Sequence, residues 1–132
     1  GTVKFKAFPE LEGNRFDARV LLPQGTPLAE TEKVMQELLK ALDKTVRVLD
    51  KNEPEPLLKS VKVSYGEHPD VPENGTHLAT ISLALLGTEI RNTRIAELTS
   101  LWQQNMPPLP EVVNVQFREP AVGPAGRAIE IR

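Results

Sequence analysis

Histidines and carboxylates are the first side chains to weigh, because imidazole and carboxylate together form the usual donor set for zinc or a harder metal. The chain has two histidines, His68 and His77, with Glu67 and Asp70 close to the first. They lie nine residues apart without the regular spacing of a ligand motif, so both read as solvated loop residues and no metal site is expected. An acyl-phosphate hydrolase would need an Arg in a phosphate-cradling loop and an Asn to hold water. Here Asn14 and Arg15 are adjacent, with no Gly-rich cradle around them, and that spacing argues against the activity. No GxSxG, HExxH, Walker or paired-carboxylate pattern occurs. The chain is therefore not expected to be an enzyme, and no cofactor is implied. Asn74-Gly75-Thr76 matches a glycosylation acceptor, yet Asn-Gly is equally the signature of a turn. Met35 and Met106 fall within helical apolar patterns and read as core fillers.

Lys and Arg number 16 against 18 Asp and Glu, a formal charge of −2. Nothing draws such a chain to phosphate backbones or anionic lipid irrespective of sequence. Phe16, Tyr65 and Phe117 are the strand aromatics, and all three belong to the apolar side of their alternation, so no base-stacking platform is presented and nucleic acid is not an expected partner. The absence of cysteine excludes a disulfide framework, a thiolate zinc site and a cysteine nucleophile. The longest strongly apolar run, Ile81 to Leu86, is interrupted by Ser82 and falls far short of the ~20 residues that span a bilayer. With no basic-then-apolar leader and Gly at position 1, the 132 residues read as one soluble domain cut from a larger protein.

Positioning falls to an alternating series of strands and helices. Phe16, Ala18, Val20 and Leu22 alternate with Arg15, Asp17, Arg19 and Leu21, the period-two pattern of a half-buried strand over 14–22. Pro23-Gln24-Gly25 ends it, Thr26 is the predicted cap, and Pro27 opens a long helix. Its apolar stripe is Leu28, Thr31, Met35, Leu38, Leu42, Val46 and Leu49, and it closes by Asp50. After the charged, proline-broken segment 51–56, Val61, Val63 and Tyr65 mark a second strand. A long polar loop is predicted from Gly66 to Gly75, then a third strand from about His77 to Leu85. Asn92 or Thr93 caps a second helix carrying Ile95, Leu98, Leu101 and Trp102, stopped by Pro107, Pro108 and Pro110. Val113, Val115 and Phe117 form a fourth strand, and Ala128 to Arg132 reads as the start of a fifth. This order predicts the α+β class and a ferredoxin-like βαββαβ fold, a four-stranded antiparallel sheet with two helices on one face. Lys62, Ser64, Thr80, Ser82, Asn114 and Gln116 would then lie on the exposed face.

Five ordered stretches carry a resemblance. Phe8-Pro9-Glu10-Leu11-Glu12-Gly13 precedes Leu22-Pro23-Gln24-Gly25-Thr26-Pro27, with Glu30-Thr31 a few residues on. This resembles the start of the second periplasmic segment of resistance-nodulation-division (RND) efflux transporters of the multidrug, acriflavin-resistance type, where an FPE-type stretch leaves the membrane and an LPxGT-type turn enters the first helix. Leu85-Leu86 with Arg91-Asn92, the helix ending in Leu101-Trp102, and Gly123-Pro124-Ala125-Gly126-Arg127-Ala128-Ile129-Glu130-Ile131-Arg132 are similar to later elements of the same segment. The similarity covers nearly the whole chain. Two departures bear on substrate type: Gln103-Gln104 follow Trp102 where the family often has a basic and an acidic residue, and the loop before His77 is rich in proline and acid.

The resemblance implies a first porter subdomain of the carboxy-terminal half of a proton-driven inner-membrane antiporter, exposed to the periplasm. Residues 1–13 would follow a transmembrane helix, 14–120 would be the ferredoxin-like porter subdomain, and 121–132 would be the connector and truncated strand toward the next porter subdomain. Implied partners are small-molecule export substrates, held weakly by the fragment alone, the remaining porter and membrane domains of a homotrimeric parent, a periplasmic adaptor and an outer-membrane channel. The family's switch loop corresponds by position to about Gly66 to Thr76, which makes Tyr65, Gly66, Glu67, His68, Pro69, Asp70, Val71, Pro72, Asn74 and Gly75 the candidate residues of the substrate cleft. The alternative is a free-standing ferredoxin-like ligand-binding or regulatory module.

Overall fold

The computed structural model describes residues 4–5, 13–67, 74–110 and 113–119, with Lys4, Phe5, Glu67 and Asn74 described in backbone only. The elements run β1 (Lys4–Phe5), β2 (Arg15–Leu21), α1 (Leu28–Leu49), a short 3-10 turn (Asp50–Asn52), β3 (Leu58–Glu67), β4 (Asn74–Leu85), α2 (Ile95–Asn105) and β5 (Asn114–Arg118). The sheet order is β1-β5-β2-β4-β3. In the order β5, β2, β4, β3 each strand is antiparallel to its neighbour, which is the ferredoxin-like α+β arrangement that the element order predicts. The two-residue strand β1 is an addition to that prediction and pairs parallel with β5. The strand expected over 128–132 lies outside the described residues. No helix among the described residues is long and apolar enough to cross a membrane.

Burial follows the periodicities. Phe16, Ala18 and Val20 of β2, Ala79, Ile81, Leu83 and Leu85 of β4, and Val115 and Phe117 of β5 form one apolar face. Against it α1 packs Val34, Met35, Leu38, Ala41 and Leu42, and α2 packs Ile95, Leu98 and Trp102. Met35 is fully buried and Met106 packs partly buried against the same core, as gap-fillers should. Trp102 is the largest side chain buried there. Its indole Nε1–H donates to the Leu38 carbonyl of α1 at 2.9 Å, and its ring meets Phe117 at 5.5 Å between centroids. Asn105 adds a second tie between the helices, donating to the Thr45 hydroxyl at 2.9 Å.

The helix starts differ from their predicted chemistry. Pro27 is the cap residue of α1 rather than its first turn: its ψ of 153° keeps it extended while its carbonyl accepts from the Glu30 and Thr31 amides. Thr26 instead closes the preceding turn, donating both its amide and its hydroxyl to the Pro23 carbonyl. At α2 the cap is Arg94, whose amide donates to the Glu97 carboxylate at 3.1 Å. Asn92 and Thr93 instead lie before the cap, their amides donating to Glu53 at 2.9 and 2.7 Å.

That Glu53 carboxylate ties the turn after α1 to the approach to α2. Asn92 adds a bond from Nδ2 to the Asn52 carbonyl, and Arg91 braces the same stretch through the carbonyls of Thr93 and Leu86. The Arg91-Asn92 pair noted in the sequence thus works as a brace between connections on one end of the sheet. Charge-assisted acceptance of backbone amides contributes more than an ordinary hydrogen bond, so Glu53→Ala is expected to cost about 1–3 kcal/mol in urea unfolding. Glu53→Gln, which keeps one acceptor oxygen, should cost less.

Candidate functional site

The candidate loop is shorter than predicted. Gly66 and Glu67 continue β3, and Asn74, Gly75 and Thr76 begin β4, so the strands take up both ends of the 66–75 stretch. The extension forms because Glu67 and Asn74 still pair, across an irregularity in which β4 carries several residues more than β3 between Tyr65 and Glu67. Gly66, at φ 101°, supplies a backbone conformation that other residues adopt at a cost. His68, Pro69, Asp70, Val71 and Pro72 lie outside the described residues.

Hydroxyl groups fix the base of this hairpin to the start of α1. Thr31, fully buried in the first turn, donates to the Thr76 carbonyl at 2.5 Å. Thr76 in turn donates to the Thr26 carbonyl at 2.6 Å. The Leu22 amide donates to the His77 carbonyl at 2.9 Å. The turn Leu22 to Thr26 and the hairpin base are therefore one braced unit. Thr31 and Thr76 were each visible in the sequence, Thr31 as a polar member of an apolar stripe, but the fold is needed to bring them together.

His77 is not the solvated loop residue that its position implied. It lies in β4 and is 4% exposed. A side chain at Gly75 would sit 3.1 Å from its Nδ1, so the glycine leaves room for the imidazole. Among the described residues no group of three His, Cys, Asp or Glu side chains stands where it could hold a metal ion.

Tyr65 stands on the helix side of β3, as its alternation predicted, yet remains 40% exposed because β3 is the edge of the sheet. Partial burial and the nearby Glu32 carboxylate both push its phenol pKa up, burial being the larger cause. As the chain's one tyrosine, it titrates without interference in ultraviolet difference spectra. Its midpoint is expected above the ordinary tyrosine value, and Glu32→Gln should lower it without restoring that value. Because the folded-state pKa is raised, the stabilisation linked to the un-ionised phenol is present below the unfolded pKa and is lost as pH rises through the folded one.

The sheet face opposite the helices is less solvated than its residue types implied. Lys62 is exposed and Ser64, Ser82, Asn114 and Gln116 are half-buried, but Thr80 is 5% exposed. On the neighbouring central strand Asp17 and Arg19 are also buried and form an ion pair at 3.8 Å. β2 has a strand on each side, so its outward side chains are flanked twice, by Ser82 and Thr80 of β4 and by Arg118 and Gln116 of β5. The alternation places these residues on the correct face and gives no sign that they are buried.

Comparisons with protein-family models, with curated proteins and with solved structures find no match to this chain. What the geometry offers is a braced hairpin base carrying Tyr65, Gly66 and Gly75.

Proposed function

We propose that this chain is a porter subdomain of an RND-type, proton-driven efflux transporter, the first in the carboxy-terminal half of its periplasmic region. The observation that carries the reading is the ordered set of five sequence stretches, from Phe8-Pro9-Glu10 to Ala128-Ile129-Glu130-Ile131-Arg132, of which those at 22–31, 85–92 and 101–102 fall within the described βαββαβ fold. The braced architecture suits the role, since a porter subdomain moves as a body and gates a cleft by packing rather than by bond chemistry. The turn carrying the LPxGT-type stretch and the base of the hairpin are hydrogen-bonded together, so displacement of α1 carries the hairpin with it.

The 66–76 region is then the gate between parts of a substrate cleft. Tyr65 is the aromatic at its edge, and Glu67, Asp70 and Glu73 give it an acidic character. The parent works as a homotrimer in the inner membrane with a periplasmic adaptor and an outer-membrane channel, exporting drugs or other small molecules. The test is expression of the full-length parent in a bacterium stripped of its own efflux pumps, across cationic dyes, neutral antibiotics and anionic detergents. Raised tolerance to at least one class, abolished by a protonophore, is expected. Unchanged tolerance across the panel, with the protein present in the membrane, would contradict the reading.

A further inference from the structure

Two threonines of α1, Thr31 and Thr45, are fully buried and use their hydroxyls differently. Thr45 donates back to the Ala41 carbonyl of its own helix at 2.7 Å, a common habit of helical threonine. The Thr31 hydroxyl instead reaches across to the Thr76 carbonyl at the start of β4. From there the Thr76 hydroxyl donates to the Thr26 carbonyl, and the Thr26 hydroxyl to the Pro23 carbonyl. Three hydroxyls thus run from helix to strand to turn. Gly25 and Gly75, at φ 90° and 141°, stand directly before Thr26 and Thr76, so each of these ties follows a residue with wide backbone freedom.

We infer that the Thr31 hydroxyl is a latch: closed, it holds the base of the β3–β4 hairpin to α1, and released, it lets that base open while the core stays folded. The links through Thr76 and Thr26 are exposed, so water replaces them at small cost. Thr31 is shielded from water, and removing its hydroxyl takes a donor from the Thr76 carbonyl that water does not readily replace. The weight of the relay therefore falls on Thr31. Opening of one cooperative piece at a fraction of the global stability is ordinary behaviour for a folded domain. The latch stands on the fold alone; its further role, as the positioning residue through which α1 sets the gate, rests on the efflux reading.

Amide hydrogen exchange in this chain tests the latch. The reporter is Leu22, whose amide donates to the His77 carbonyl at the hairpin base, and the controls are Leu85 and Leu86, whose amides donate to Asn14 and Leu57 at the other end of β4. Thr31→Val keeps the shape and removes the hydroxyl. It is expected to speed exchange at Leu22 about five- to tenfold, the equivalent of one lost hydrogen bond, and to leave the controls unchanged. Thr31→Ser, which keeps the hydroxyl, should exchange slowly at Leu22. Thr45→Val, the same chemical change further along α1, should leave Leu22 unaffected. Unchanged exchange at Leu22 in Thr31→Val would overturn the latch, as would an equal rise at the controls or an equal effect of Thr45→Val. Should Thr31→Val fail to fold, Thr31→Ala removes the same hydroxyl and decides in its place. In the full-length parent, Thr31→Val should lower the conferred tolerance and Thr31→Ser retain it, at equal protein in the membrane. Tolerance undiminished by Thr31→Val would overturn the positioning role, whereas a parent that confers none contradicts the efflux reading and leaves the latch to the exchange result.

Discussion

Trp102→Ala is expected to cost about 3–5 kcal/mol, the range for removing a large aromatic from a packed core. The residue is fully buried, donates to Leu38 across the helix pair, and touches Phe117 of β5. It therefore joins α1, α2 and the sheet. A loss of that size consumes much of the ~5–15 kcal/mol by which domains are stable, so the variant should unfold at a much lower urea concentration. Trp102→Phe separates the two contributions. It retains most of the apolar contact but removes the indole N–H, and should cost about 1–3 kcal/mol. If Trp102→Ala unfolded within about 1 kcal/mol of the parent chain, the packing described for this core would be wrong.

Arg19→Met should be the next largest. Arg19 and Asp17 are buried on the central strand, and removing one charge of a buried pair typically costs about 3–5 kcal/mol because the other is left uncompensated. At 3.8 Å the pair is long and both residues make further interactions, so the lower end, about 3 kcal/mol, is expected. Asp17→Asn in the Arg19→Met background should recover part of the loss. A double-mutant cycle in urea gives the coupling directly, and a coupling near zero would mean that the pair contributes nothing beyond its individual burial.

The contrast between these two predictions shows what a sequence can and cannot reveal here. Trp102 sits at helical spacing from Ile95 and Leu98, so its place in the core follows from periodicity. Asp17 and Arg19 obey the strand alternation equally well, yet alternation gives the side of the sheet and not the depth of cover on it. That depth depends on β2 becoming central, flanked by β4 and β5, which is long-range information. Helix caps failed for a related reason. Asn92 and Thr93 have the right side chains, but α2 begins at Ile95 after Arg94, and the Asn92 side chain donates instead to the Asn52 carbonyl, forty residues earlier.

At the candidate site the divide runs through the hairpin. Polar and proline-rich composition marked the region correctly but overstated its length, because glycines at 66 and 75 let the strands continue. The exposure of Tyr65 likewise came from an unforeseen source. Its alternation points it toward the helices, and only the edge position of β3 leaves it half-open.

The central claim is that these residues belong to a membrane transporter, and the most direct measurement is the length and hydropathy of the open reading frame that encodes them. The account predicts a protein of about a thousand residues with some twelve ~20-residue apolar spans and a second periplasmic βαββαβ region. A reading frame that closes near Arg132 with no membrane span would contradict it, and would leave a free-standing ferredoxin-like module whose ligand must be sought by screening the isolated domain.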